Sequence, residues 1–265
     1  MAYPMYFEQH DHVFCEANMY NEIYTYRQPE YINSITSLFI SWIGLFGIMN
    51  NRCATNDIYM LYWTFVINGI CSCLYHYTHY IGWGLADRLT MVLMAVYCYN
   101  IFTDIFTISR ISDTYIHFLR FIFISYISLL LVSAGLHNED DFNFFFGIFL
   151  VSLIVFVRFI HHDYGKQELA NKGLVYMMSA GVFWIITEGL CDKHWIMKYL
   201  LGHALWHIGV SLGGYYISVV AINLLTDYTM LEYKYGIPIA IQHKNRCCLD
   251  TISSEKTTSD DKFEV

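Results

Sequence analysis

The sequence predicts an all-α membrane protein, a seven-transmembrane helix bundle with a metal site buried inside it. Three observations lead there. Of the 265 residues, 56% are hydrophobic and only 14% charged, where a soluble domain carries roughly 25% charged residues. Seven apolar runs follow one another, each close to the ~20 residues that cross a bilayer as a helix. The candidate metal ligands among the few ionisable side chains of those runs fall at one depth on one side, where such a group is costly and marks function.

The elements justify themselves in order. Residues 1–31 form a polar, aromatic and acidic lead, without the basic start and apolar run of a cleavable signal. Its Tyr6, Tyr20, Tyr24, Tyr26 and Tyr31 suit an interfacial belt. Spans are expected at 32–49, 58–80, 87–108, 116–136, 142–160, 173–191 and 199–225, so that 32–225 is one bundle domain. Residues 226–265 read as a polar tail, and its end, Thr251 to Val265, as a disordered segment. The net charge of −8 lies largely in that end and a few loops. No basic stripe suits nucleic acid, and nothing points to an obligate protein partner.

Loop cations set the orientation. Arg52, Arg110, Arg158, Lys166 and Lys172 follow the odd-numbered spans, and Lys234, Lys244 and Arg246 lie in the tail. The other side carries Arg27, the acidic turn Asn138–Asp141, then Lys193 and Lys198. The N-terminus is therefore expected outside the cytoplasm and the C-terminus within it.

On that orientation, two short stretches meet. Ser72 and His76 are four residues apart, so they share one helix face. Asp87 follows eleven residues later, past a break expected at Gly82 and Gly84, at the head of the third span. His203 and His207, another pair at i, i+4, open the seventh. Three neutral imidazoles are the ligand set of catalytic zinc, with a fourth position left for water. Zinc brings such a water to a pKa near 7. Asp87 is typed to take its proton and return it to a leaving nitrogen. Ser72 is placed to donate to a developing oxyanion. Together they make the equipment of amide or ester hydrolysis. Taken singly, each residue has a plainer reading: a packed histidine, a serine bonded back to its own helix, a carboxylate favoured by a helix N-terminus.

The set Ser72-x-x-x-His76, Asp87 in Asp-Arg-Leu-Thr-Met91, and His203-Ala-Leu-Trp-His207 resembles the alkaline ceramidases. That family of seven-helix membrane zinc amidases shares a superfamily with the progestin and adipoQ receptors. Phe14-Cys15-Glu16-Ala17-Asn18 is similar to its Asp-Trp-Cys-Glu-x-Asn signature, and Glu30-Tyr-Ile-Asn33-Ser to its Glu-Phe-x-Asn-Thr. Phe183-Trp184 and Cys191 fit its sixth span. The resemblance covers about residues 13 to 225. It implies zinc at His76, His203 and His207. It also implies calcium at the Phe14 carbonyl, Glu16, Asn18 and Glu30, hard oxygen donors of the kind that suit that ion. Val13 stands where the family has its first acidic ligand, with Asp11 two residues away; Arg88 and Thr90 stand for its Glu and Pro.

Eight cysteines remain to be placed. Cys15 and Cys191 both fall in the oxidising compartment, either paired or as free thiols; the resemblance implies that they pair. Cys71 and Cys73 read as small packing groups, and Cys247-Cys248 as a candidate for S-acylation. His79 reads as a rim residue, and His161-His162 as a solvated loop on the opposite side. The expected activity is hydrolysis of the ceramide amide to sphingoid base and fatty acid, in the endoplasmic reticulum or Golgi membrane. Two rivals stand beside it: a receptor of the progestin/adipoQ type with a structural zinc, and a desaturase or hydroxylase built on histidine boxes.

Overall fold

The computed structural model describes residues 8–9, 14–21, 28–51, 54–108, 112–135, 139–159, 164–226 and 229–242. A short helix α1 (Cys15–Asn21) precedes seven long ones: α2 (Tyr31–Asn50), α3 (Asn56–Thr78), α4 (Ile81–Ile108), α5 (Asp113–Gly135), α6 (Glu139–Phe159), α7 (Tyr164–Gly189) and α8 (Gly202–Leu225). Six of the long helices, all but α6, are long and apolar enough to cross a membrane; α6 offers a shorter described apolar stretch, Phe142–Leu153. The chain is an all-α multi-pass membrane protein.

α8 is the centre of the bundle and α5 its periphery: 67% of the apolar window of α8 is buried inside the protein, against 17% for α5. Most of α5 is left exposed, as a spanning helix can be at the edge of a bundle, where lipid rather than protein covers it. α8 reaches its neighbour α7 through missing side chains. A Cβ on Gly209 would stand 2.2 Å from the Ala180 Cβ, and one on Gly213 would stand 2.6 Å from the Gly173 carbonyl oxygen. Small residues let two backbones approach where lipid offers no hydrophobic drive. Any larger side chain at Gly209 would push α8, and the histidines at its head, away from α7.

Two local expectations are corrected. The turn between α3 and α4 is not at Gly82 and Gly84, which lie inside α4. It falls at His79, whose left-handed φ of 57° caps α3, its N–H donating to the Tyr75 carbonyl. Gly84 instead faces the Tyr75 ring, where a Cβ would come within 2.8 Å. Asp87 accordingly sits inside α4 rather than at its head. The second correction concerns the polar tail, part of which is an antiparallel hairpin of β1 (Thr229–Lys234) and β2 (Ile237–Gln242), with Ile239 and Ala240 buried. Ile239 and Ala240 pack into the apolar core at one end of the bundle.

Asn51 ties that hairpin down at the C-terminal end of α2. Its Oδ1 accepts from the Ala240 N–H at 2.9 Å, and its Nδ2 donates to the hydroxyls of Tyr62 at 3.0 Å and Tyr215 at 3.1 Å. Tyr215 donates onward to the Pro238 carbonyl at 2.7 Å, and Tyr62 bonds to the Ser218 hydroxyl at 2.8 Å. A buried amide carries this network because each of its polar atoms finds a partner.

Candidate metal centre

The other end of α2 holds a different kind of polar cluster. Ser72 and His76 occupy the last turns of α3, and His203 and His207 the first turns of α8. All four are buried. The imidazoles face one another, with ring centroids 4.8 Å apart for His76 and His203, 5.2 Å for His76 and His207, and 4.6 Å for His203 and His207. One nitrogen from each lies within 4.8 Å of the others. Among the described residues these three form a group close enough to share a metal ion.

The partners of the outer ring nitrogens show which nitrogens point inward. His76 Nδ1 lies 2.6 Å from Glu30 Oε2, and an ionised carboxylate can only accept, so Nδ1 carries the proton. His207 Nδ1 lies 3.1 Å from the Thr36 hydroxyl and 3.3 Å from that of Ser37. Both hydroxyls already donate to helix carbonyls, Thr36 to Ile32 at 2.8 Å and Ser37 to Asn33 at 2.7 Å. Their oxygens are thus left to accept from Nδ1–H. In both rings Nε2 keeps its lone pair. A histidine that donates its outer N–H to oxygen is the usual support of a metal ligand, fixing tautomer and ring plane. The donor set therefore fits a divalent ion that takes nitrogen ligands.

Glu30 is a hub between the lead, α2 and α3. Besides His76, its carboxylate accepts from the Phe14 N–H at 3.1 Å and from Asn33 Nδ2 at 3.1 Å, and it lies 3.7 Å from His79 Nε2. Its own N–H donates to the His76 carbonyl at 3.0 Å. Burial alone would raise the Glu30 carboxyl, but the hydrogen bond and charge of His76 outweigh it and hold the group below its ordinary value. His79 is buried beside this carboxylate and is no rim residue.

The lead forms the roof. The Phe14 ring lies 4.1 Å from that of His203 and 5.1 Å from that of His76, centroid to centroid. Glu16 accepts from the first-turn N–H groups of α2, Ile32 and Asn33, both at 2.7 Å, satisfying donors that a helix start leaves open. Burial raises its carboxyl, partly offset by those two N–H groups, and the nearby Glu30 charge adds to the rise. A Cys15–Cys191 disulfide fastens α1 to the segment after α7, and the Cys15 N–H donates to Glu188 at 2.8 Å. Asn18 Nδ2 lies 3.5 Å from Asp192 Oδ1. The Phe14 carbonyl accepts from the Ala17 N–H at 3.0 Å. The structure thus joins Glu30 to the histidines, keeps Glu16 beside it, and sets Asn18 against the segment after α7. Val13, Asp11, His161, His162, Cys247 and Cys248 lie outside the described residues.

Ser72 and Asp87 line one cavity of about 130 Å³ together with the three histidines. Ser72 Oγ stands 3.1 Å from Ser37 Oγ. Asp87 is oriented by Asn68, whose Nδ2 lies 2.7 Å from Asp87 Oδ1 and 2.9 Å from the Thr90 hydroxyl. Arg88 is buried on the same wall, and the rest is largely apolar, from Met91 and Phe146 to Trp184.

Sequence reasoning missed Asn68, Thr36 and Ser37, and gave Glu30 only one role. A signal was there: Asn68, Ser72 and His76 recur every four residues, as do Asn33, Ser37 and Ser41, two polar stripes in apolar spans.

The sequence profile of the ceramidase family matches residues 9–241. The chain belongs to the ceramidase family. That family's reaction is the cleavage of the ceramide amide bond, and its alkaline branch is metal-dependent. The chain is also similar to a curated Dictyostelium discoideum protein named "Putative alkaline ceramidase dcd3B", 23% identical over 267 residues, covering 84% of this chain and 91% of that protein. The ceramidase match reaches from the lead into β2, so it takes in every residue of the cluster.

Proposed function

We propose that this protein hydrolyses the amide of a ceramide-type lipid to a sphingoid base and a free fatty acid, at a zinc ion held by His76, His203 and His207. The observation that carries the reading is the buried meeting of three imidazoles in one cavity with Ser72 and Asp87. When bound, zinc would supply Lewis acidity toward the amide carbonyl and acidify a water.

The chain's own groups supply the rest. Ser72 donates its hydroxyl proton as a hydrogen bond to the carbonyl oxygen while negative charge builds there. Asp87, held by Asn68, accepts a proton from the attacking water and delivers it to the amide nitrogen. The carbon–oxygen bond forms, the carbon–nitrogen bond breaks, and the amine leaves neutral. The apolar lining excludes other water and takes the hydrocarbon.

Three further assignments belong to the same reading. α6 completes a seven-span bundle, with the lead on the lumenal side of the endoplasmic reticulum or Golgi and the hairpin on the cytoplasmic side. Residues 1–31, 32–225 and 226–265 serve as lead, hydrolase domain and tail. The lead would hold calcium through the Phe14 carbonyl, Glu16, Asn18 and Glu30, which is supported by two buried carboxylates whose mutual repulsion a bound cation would relieve.

Lipid mass spectrometry on the purified full chain with mixed ceramides and ester lipids, with and without Ca2+, tests the proposal. Release of sphingoid base from ceramide, abolished by chelation, is expected. Cleavage of esters with amides intact would reject the substrate, and no cleavage with a bound hormone-like ligand would favour a receptor.

A further inference from the structure

The metal-centre cavity does not end at the metal centre. Its wall on α4 runs from Asp87 through Met91 and Met94 to Cys98. From the next residue, Tyr99, the same helix lines a second cavity of about 380 Å³, and it continues there through Phe102 and Thr103 to Phe106. The second cavity lies between α4, α5 and α6 and takes its other walls from Leu119, Phe123 and Ser152. Phe149 and Leu153 of α6 belong to both cavities and form the partition between them. From Asp87 to Phe106 the path measures roughly 28 Å along the helix axis, at 1.5 Å per residue.

A groove of about 350 Å³ opens on the opposite side of α6, between α6 and α7, and shares Met91, Phe146, Leu150 and Trp184 with the metal-centre cavity. The space around the histidines therefore forks, with α6 as the divider. A forked apolar space fits a lipid with two chains.

We infer that the cavity between α4, α5 and α6 is the subsite for the distal part of the sphingoid chain, with Phe149 and Leu153 as its gate. The assignment rests on the amide-hydrolase reading. The sphingoid backbone is attached to the amide nitrogen, which faces the proton donor Asp87 on α4, and α4 leads without interruption into this cavity. The N-acyl chain is attached to the carbonyl carbon on the histidine side. It follows the other branch, where the Trp184 ring stands edge-on to His203 at 5.3 Å. The cavity is otherwise open toward lipid at Tyr115 and Ile122, so a bilayer tail is the competing occupant.

The test uses the full chain in nanodiscs with two photoreactive ceramides. One carries a diazirine at the end of the sphingoid chain, the other at the end of the N-acyl chain. Each label stays on its own fragment whether or not the amide is cleaved. The sphingoid probe is expected to mark Leu119–Phe123 of α5 and Phe102–Phe106 of α4, and the N-acyl probe the α6–α7 groove, both suppressed by excess unlabelled ceramide. Swapped labelling, or cavity labelling that ceramide does not suppress, overturns the assignment.

A kinetic arm uses Ser152→Phe and Leu119→Trp, which fill the cavity from two helices, with metal content as the control for folding. Each should lower kcat/KM for a ceramide with an eighteen-carbon sphingoid chain about tenfold relative to one with a twelve-carbon chain, since methylenes lose their burial. Equal losses at both lengths overturn the assignment. If ceramide competes for the label yet is never cleaved, the hydrolase reading fails and the subsite stands. If it is cleaved and the label falls elsewhere, the reverse holds.

Discussion

The two ends of α2 each hold a buried polar cluster, and they differ in one respect. Around Asn51, every bond offered by the amide and the tyrosine hydroxyls is taken up inside the protein, by Ala240, Pro238 and Ser218. Around Glu30, Thr36 and Ser37, bonding stops one atom short. The outer nitrogens of His76 and His207 are engaged, and the inner ones face each other and His203. A closed network in an apolar setting holds a fold together. One that leaves lone pairs converging on a point asks for a cation. Buried polar clusters thus serve structure at one end and, in the proposed reading, binding at the other.

Mutations at the two ends should separate these roles. The largest effect is expected from His203→Ala, which removes a proposed ligand: ceramide hydrolysis should fall on the order of a thousandfold, and bound metal should be lost. Asn51→Ala is the counterpart. It strands the buried Ala240 N–H and takes one donor from each tyrosine hydroxyl, and should cost about 2–3 kcal/mol in stability, read by thermal melting, with metal content unchanged. If Asn51→Ala strips the metal as well, the two ends are not independent.

Ser72→Ala should keep the metal and lower kcat about a hundred- to a thousandfold, since it removes the proposed oxyanion donor. Glu30→Gln keeps the shape but weakens the acceptor for His76 Nδ1, so metal affinity should fall about ten- to a hundredfold by titration. The smallest effect on activity is expected from Cys15→Ser. It leaves the ligands in place but frees the roof, lowering stability by about 2–5 kcal/mol. Melting under reducing and oxidising conditions checks it, because the wild type should approach the variant once reduced.

Much of the metal end was legible in the sequence. His76, His203 and His207 stand out because a spanning segment tolerates few ionisable groups, and the i, i+4 spacing fixes a shared face. Cys15 and Cys191 were readable as a pair from the family resemblance, and the structure joins them. The far end was hidden. The hairpin at 229–242 is short and follows a polar stretch, and its strands are held by Asn51, nearly two hundred residues away. The turn at His79 was misplaced because two glycines drew the break to themselves, while a histidine took the left-handed cap. Asn68, Thr36 and Ser37 were passed over as ordinary helix residues, since a role that consists of orienting another side chain shows only once both helices are in place.

Elemental analysis of the purified full-length protein tests the central claim most directly. The account predicts one zinc per chain in the wild type and in Asn51→Ala, and none in His203→Ala. A metal-free wild type that still cleaves ceramide, or a His203→Ala protein that keeps its zinc, would contradict it.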